Sequence, residues 1–410
     1  MKSVCLYFTV HLPFRLKKYQ PEDIAVIHSY EDAEANFSAI DIAASECYLP
    51  ANEILYRLLL ENKERFAVSF SISGSMLEML RRYRPDVIDS FQQLVNTGRV
   101  EILAETYYHS LSFLHSGHEF RRQVQKHSSL VKEIFGLTPV VFRNTELIYN
   151  NDLARVISGM GYKGILCEGT ERLLQGRSPN HLYGAPDNGD FNLLLRNQSL
   201  SDDIAFRFND TDWQEYPLTA GKFASWLHAD TDNTEMINLC VDYETFGLHK
   251  QKDTGILRFL EELPGAVLEN EQFRFCTPSH VLEDYYPMDI YDVPQPVSWG
   301  KGMDMNCGSN RNTMQHNTLK KIYAIENMVM GCCNPSLVET WGQLQAADHF
   351  YYMTEEGFAN KKYQNPFASA EEAFRNYTNI LVDFEITVIR QNIGLSRQKT
   401  AQYLPVYTLY

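Results

Sequence analysis

Long apolar runs are what this sequence most conspicuously lacks. No stretch approaches the roughly 20 consecutive apolar residues that a membrane-spanning helix requires. The first residues, Met1-Lys2-Ser3-Val4-Cys5-Leu6-Tyr7-Phe8, are apolar only briefly before His11, with no long hydrophobic region and no small-residue cleavage site, so no signal peptide is read. Positive charge is also short. Lys and Arg number 37 against 52 Asp and Glu, a net charge of −15, which argues against a nucleic-acid backbone or an anionic membrane as partner. The eight cysteines stand at 5, 47, 167, 240, 276, 307, 332 and 333, without zinc-ribbon spacing. They are scattered, four of them inside predicted strands as small hydrophobes, and fit a reduced, cytoplasmic protein. No Gly-x-Gly-x-x-Gly follows the first strand, which removes support for a dinucleotide site. There is no internal repeat and no low-complexity segment, and no motif implies a cofactor. Nothing in the chain sets an oligomeric state.

What is there is an ordinary globular composition: 410 residues, 44% hydrophobic and 22% charged, enough for a sizeable core. Aromatics make up 12%, with 24 Tyr and 23 Phe, and most of these rings are expected to be core rather than ligand platforms. Short apolar runs at Val4–Val10, Phe66–Ile72, Val100–Ala104, Val140–Phe142, Gly164–Cys167, Leu193–Arg196, Ile237–Val241 and Phe273–Cys276 read as strands. Helical patterns lie between them, at Ser75–Tyr83, Pro85–Thr97, Gly117–Phe135, Asn151–Met160, Gly221–Ala229 and Gly255–Leu263. Several stop at a glycine: Gly98, Gly136, Gly161. Strand–helix alternation with nearly continuous apolar strands predicts a parallel α/β sheet or barrel. The pattern breaks near Tyr285, where Pro287, Pro294 and Pro296 mark a connector. Beyond it, Thr313–Met330, Pro335–Thr354 and Ser369–Ile393 are helical in period with no strand between them. The expected division is therefore 1–285, an α/β barrel, and 286–410, a helical region.

Two segments carry the chemistry, Val140-Val141-Phe142-Arg143-Asn144-Thr145-Glu146 and Asn238-Leu239-Cys240-Val241-Asp242-Tyr243-Glu244-Thr245-Phe246-Gly247. In each, an apolar run gives way to a carboxylate. If both runs are strands of one parallel barrel, Glu146 and Asp242 lie at its C-terminal end, where barrel active sites form. Two carboxylates at one mouth are the usual equipment for cleaving a glycosidic bond. Each also has a plainer reading, since Glu146 can pair with Arg143, and Asp242 can cap a following helix.

These segments resemble five regions of the family 57 glycoside hydrolases. The others are His11-Leu12-Pro13, Gly98-Arg99-Val100-Glu101-Ile102-Leu103 and Gln345-Ala346-Ala347-Asp348-His349, and all five occur in the family's order. The likeness spans residues 4 to about 353 and is greatest for the family's α-amylase-like branch. It implies an incomplete, TIM-like (β/α)7 barrel of the polysaccharide-deacetylase type, followed by a helical region that contributes to the substrate cleft. It implies Glu146 as catalytic nucleophile and Asp242 as general acid/base. It further implies His11 and Glu101 as pocket residues and Asp348 as an acidic substrate contact from the helical part. The implied reaction is retaining hydrolysis of α-1,4 bonds in glycogen, starch or maltooligosaccharides, without metal. Eight candidate strands stand against the seven implied, so one is expected to be peripheral.

Arg143, Asn144 and His11 suit holding Glu146 ionised and gripping sugar hydroxyls, and His109, soon after a strand, suits a pocket role. There are departures from the family pattern. The first region commonly reads His-Gln-Pro, and the glucan-transferring members often carry Trp where Arg143 stands. The Gly-rich and polar stretch Trp299–Asn310 is less regular than expected. Three other readings stay open: a 4-α-glucanotransferase, a metal-dependent deacetylase using His109, His115 and His118 near Glu105, and a glycan-binding relative without turnover. Ser201–Phe208 reads as a cleft rim or a plain loop, and Tyr351-Tyr352 as a stacking platform or helix packing.

Overall fold

A computed structural model describes residues 1–229, 234–299, 313–354 and 365–403, with side chains described through residue 395. The chain forms two compact units. One comprises Met1–Leu12, Asn36–His109 and the described part of His118–Cys307, and the other Pro13–Ala35, Ser110–Gly117 and the described part of Gly308–Tyr410. The connector that begins after Tyr285, grouped with the helical region on sequence alone, thus clusters with the strands, and two earlier segments cluster with the C-terminal helices.

In the first unit the strands are β1 (Lys2–Val10), β2 (Val68–Ile72), β3 (Val100–Ile102), β4 (Val141–Arg143), β5 (Gly164–Glu168), β6 (Leu182–Ala185), β7 (Asn188–Arg196), β8 (Met236–Asp242), β9 (Phe273–Phe275) and β10 (Asp289–Ile290). Seven of them run parallel around a ring in chain order. Ladders join β1 to β2, β2 to β3, β4 to β5, β5 to β7, and β8 to β1. The two remaining seams are thin: the bridge Ala104–Phe142 links β3 to β4, and the pair Arg196–Asn238 links β7 to β8. This is the expected (β/α)7 barrel, and its strands are buried almost throughout because helices cover the outer face. Cys5, Tyr7, Val141, Leu166, Leu194 and Cys240 belong to one shared core cluster.

The peripheral strand is β9, which pairs with β1 only over Lys2–Val4, before β2 begins. The sequence missed β6 and β10, and it started β7 at Leu193. The first residues of β7, Asn188-Gly189-Asp190, are exposed in a hairpin with antiparallel β6, so they carry no apolar run to detect. Gly136 has φ +72 after the helix Gly117–Phe135, the left-handed stop expected of a glycine. Gly247 has φ +124, and a Cβ there would collide with the carbonyl oxygen of Glu46, which explains the glycine closing the Asp242 segment.

The second unit is helical. The expected helix Thr313–Met330 is two, Thr313–Ala324 and Glu326–Gly331, and Pro335–Thr354 is likewise Pro335–Gln343 and Ala347–Tyr351. The second break has a tertiary cause that periodicity cannot reveal, because Ala346 is drawn into an extended conformation (ψ 133) and bridges Ser110. The long helix Ala370–Tyr403 anchors the early segment: Asp383 accepts from Ala25 N (2.6 Å), Tyr30 Oη (2.6 Å) and the His28 ring (2.9 Å). Among the described residues no helix is long and apolar enough to cross a membrane.

Candidate active site

The C-terminal ends of β1, β3, β4 and β8 supply the polar groups of the barrel mouth. His11 follows β1, and its Nδ1 lies 2.8 Å from Ser73 Oγ, the cap of the helix after β2. Its ring stacks on His109 at 3.9 Å between centroids, 17° from parallel. His109, reached by the loop after β3, has φ +52. Its Nε2 lies 3.4 Å from Glu146 Oε1, and its Nδ1 lies 3.8 Å from Glu105 Oε2. The imidazole is thus held between two carboxylates.

Glu146 sits just past β4 in a tight turn. It and Leu147 are consecutive non-glycine residues with φ +54 and +49, a left-handed conformation that costs about 1–2 kcal/mol per residue and needs surrounding contacts to persist. Those contacts are present. Asn144 Nδ2 donates to Ile148 O across the turn at 3.0 Å, so this amide is engaged with backbone. Thr145 Oγ1 pairs with Thr106 Oγ1 at 2.8 Å. Trp299 Nε1 donates to Glu146 Oε2 at 2.8 Å. The Glu146 side chain remains 19% exposed. Burial pushes its pKa up, but the hydrogen bond and charge of His109, the charge of Arg143 and the Trp299 donor outweigh burial, and the carboxyl is held below its ordinary value.

Arg143 is completely buried, and its Nη1 reaches Glu105 Oε2 at 3.4 Å. Pairing with Glu146 was the plain reading from sequence; the ion-pair partner is instead Glu105, and Arg143 acts on Glu146 through its field. Glu105 is itself fully buried, yet His109, Arg143 and His127 overcome that burial and keep its carboxyl below the usual value.

Asp242 ends β8, opposite Thr9 of β1, and is partly exposed. The next residue, Tyr243, is locked by packing against Phe8 and Phe70 and by donating to Asn52 Oδ1 at 2.6 Å. Glu244, two residues past Asp242, is 2% exposed, and its Oε1 accepts from Tyr48 Oη (2.6 Å) and His11 N (3.2 Å). Tyr48 ends a π-helical turn, Ala44–Tyr48, between two α-helices. Burial first, and then the charge of Asp242, pushes the Glu244 carboxyl up to about 8.

Glu101 has other partners. It lies early on β3, in register with Ser69, and its Oε2 accepts from Ser279 N at 2.9 Å at the start of the helix Pro278–Asp284. Burial raises its pKa, and Ser279, Thr277 and His280 pull it only part of the way back. Asp348 belongs to the second unit, buried in the first turn of Ala347–Tyr351. Two of the three histidines of the metal reading, His109 and His115, have different ring partners. His115 stacks on Tyr323 (4.9 Å, 14°), with burial and then His316 pushing it down to about 4, whereas His109 stacks on His11. Among the described residues no group of three or more His, Cys, Asp or Glu is arranged to hold a metal ion.

Sequence reasoning did not select Glu105, Glu244 or Trp299 as site residues. The first two carried a signal, each being a carboxylate just past a strand. Trp299 carried none beyond being one of four tryptophans, placed in a connector. Most of the stretch Trp299–Asn310 lies outside the described residues.

The fold and mouth define a (β/α)7 barrel with carboxylates at the C-terminal strand ends. The family model for glycosyl hydrolase family 57 matches residues 5–294, and the chain belongs to that family. A protein of Methanocaldococcus jannaschii provisionally named an alpha-amylase is 38% identical over 393 residues, 92% of this chain and 83% of that one. An alpha-amylase of Pyrococcus abyssi is 24% identical over 277 residues, with 65% of this chain covering 40% of its length. Among solved structures, a 4-alpha-glucanotransferase from Thermococcus litoralis aligns with a TM-score of 0.68 at 15% identity, over 92% of this chain and 59% of that one. A family 57 branching enzyme from Thermococcus kodakaraensis aligns at 0.67 and 14%, over 93% and 89%. At such identities the likeness shows the fold.

Proposed function

We propose that the protein is a retaining glycosidase acting on α-1,4-linked glucans, with Glu146 as nucleophile and Asp242 as general acid/base. The observation that carries this reading is the treatment of Glu146: a partly exposed carboxylate at a barrel strand end, held in a left-handed turn and kept ionised by His109, Arg143 and Trp299. A nucleophile must be ionised before it attacks, and such an arrangement supplies that state without assistance from substrate. Asp242, partly exposed at the end of β8, is the complementary group, whose proton goes to the departing glycosidic oxygen. His11, His109 and Glu105 hold the nucleophile's surroundings; Asp348 is proposed as a further substrate contact. The named relatives, two alpha-amylases among them, favour glucans as the substrate class.

Product analysis on maltooligosaccharides, wild type beside Glu146→Gln, tests the reading. Shorter products with retained anomeric configuration are expected from wild type and none from the variant. Longer products would assign transfer to an acceptor sugar in place of hydrolysis. Near-normal turnover by Glu146→Gln would sink the nucleophile assignment. Full activity after exhaustive chelation is expected, and loss of activity restored by a divalent ion would favour the deacetylase reading.

A further inference from the structure

Glu146 is gripped by a segment from far along the chain. Residues 293–299 run antiparallel to 146–151. Asn151 N donates to Val293 O (3.0 Å), Tyr149 N to Val297 O (3.0 Å) and Val297 N to Tyr149 O (2.9 Å). At the end of this short ladder three donors converge on one residue. Ser298 Oγ donates to Glu146 O at 2.8 Å, Trp299 N to the same oxygen at 3.3 Å, and Trp299 Nε1 to Glu146 Oε2 at 2.8 Å. The indole ring is fixed in turn, with the Arg143 and Arg196 guanidinium carbons 5.4 Å and 5.3 Å from its centroid. Arg196 is anchored by Glu168 (3.3 Å) and Asp202 (2.6 Å). The connector is therefore built onto the candidate site, with the backbone and the side chain of Glu146 held from the same two residues.

We infer that Trp299 is a positioning residue for the nucleophile, pinning Oε2 at 2.8 Å and leaving Oε1, whose contact with His109 Nε2 is the longer one at 3.4 Å, as the oxygen that attacks. The inference rests on Glu146 being the nucleophile. In the first step an Oε1 electron pair forms the bond to the anomeric carbon. The bond from that carbon to the glycosidic oxygen breaks, and the departing oxygen keeps its electron pair and takes the proton of Asp242. Oε2 becomes the carbonyl oxygen of the ester and keeps the indole N–H as its donor. In the second step water attacks the anomeric carbon, a water proton returns to Asp242, and the Oε1 bond breaks to restore the carboxylate. Fixing one carboxylate oxygen by a rigid donor orients the other without any cost at the moment of reaction.

Trp299→Phe tests this, since it keeps a ring against the two guanidiniums and removes the N–H. The expected result is a kcat lower by about tenfold or more, with KM changed less than about threefold. The acid limb of the kcat/KM profile should move to higher pH, because the ionised form has lost a donor. A kcat within about twofold of wild type with an unmoved acid limb would overturn the inference, whatever the change in Tm. A second measurement needs no substitution at 299. With fluorotryptophan incorporated at all four tryptophans, one ¹⁹F resonance should titrate with the acid limb in wild type and stay fixed in Glu146→Gln. Four static resonances in wild type would equally overturn it. Normal turnover by Glu146→Gln removes the nucleophile itself, whereas an inactive Glu146→Gln beside an unaffected Trp299→Phe removes only the positioning role.

Discussion

The turn after β4 and the turn after β8 each hold a largely buried carboxyl, and the two carboxyls are driven in opposite directions. Glu146 meets a histidine, a tryptophan N–H and the field of a buried arginine, and is held ionised. Glu244 meets one phenol, one backbone N–H and the negative charge of Asp242, and is pushed up to about 8. Burial is common to both and raises both. The sign is set by whether the neighbours supply cation and donor or another anion. One mouth thus keeps the Glu146 carboxylate charged and Glu244, which is not the proposed acid, largely neutral near pH 7.

The largest expected effect comes from removing the charged member. Glu146→Gln should lower kcat by at least about 10³-fold on maltooligosaccharides, and a smaller loss would place the nucleophile elsewhere. Asp242→Asn should lose about 10²–10⁴-fold on the same substrates, and less on an activated aryl α-glycoside, whose leaving group needs little protonation. An equal loss on both substrates would remove Asp242 as the acid.

Next in size is a stability effect. Glu105 is the counter-charge of buried Arg143, so Glu105→Gln should cost about 3–5 kcal/mol in denaturant unfolding by leaving that guanidinium uncompensated. A loss under about 1 kcal/mol would show that the pair is replaceable.

The contrast between Glu146 and Glu244 can be read directly from Tm against pH. Glu244 favours its protonated form when folded, so its contribution is full below the unfolded value of about 4.3 and is lost as pH rises through about 8. Glu244→Gln should therefore gain stability over wild type between about pH 5 and pH 9, by up to a few kcal/mol. Glu146 contributes above about pH 4.3 and loses that contribution as pH falls through its lowered folded value. Glu146→Gln should accordingly compare best with wild type in acid. Differences from wild type that run the same way with pH in both variants would erase the comparison.

The smallest effect is expected at Glu101. Glu101→Ala removes the acceptor at the start of Pro278–Asp284 and should cost about 1 kcal/mol, with a smaller loss of kcat/KM than Trp299→Phe. A large loss of kcat/KM in a stably folded variant would support Glu101 as a substrate-pocket residue.

The barrel is largely legible in the sequence, because strands covered on both faces write nearly unbroken apolar runs. The carboxylates that end two of those runs, Glu146 and Asp242, are legible for the same reason. Helix breaks and exposed hairpin arms are not. Ala346 leaves helix because Ser110 pairs with it, and Asn188-Gly189-Asp190 form a strand with no apolar face. Arg143 and Glu101 are legible as charged residues near strands, but their partners, Glu105 and Ser279, are not.

The sequence by itself determined the parallel barrel and which acids stand at its strand ends, since both follow from local hydrophobic pattern and the period of a strand. Only the tertiary structure decided that Trp299, 153 positions beyond Glu146, would grip that carboxylate, and that two largely buried carboxyls would hold opposite charge states. Those outcomes depend on which donors and charges meet in space, and local hydrophobic pattern does not encode that.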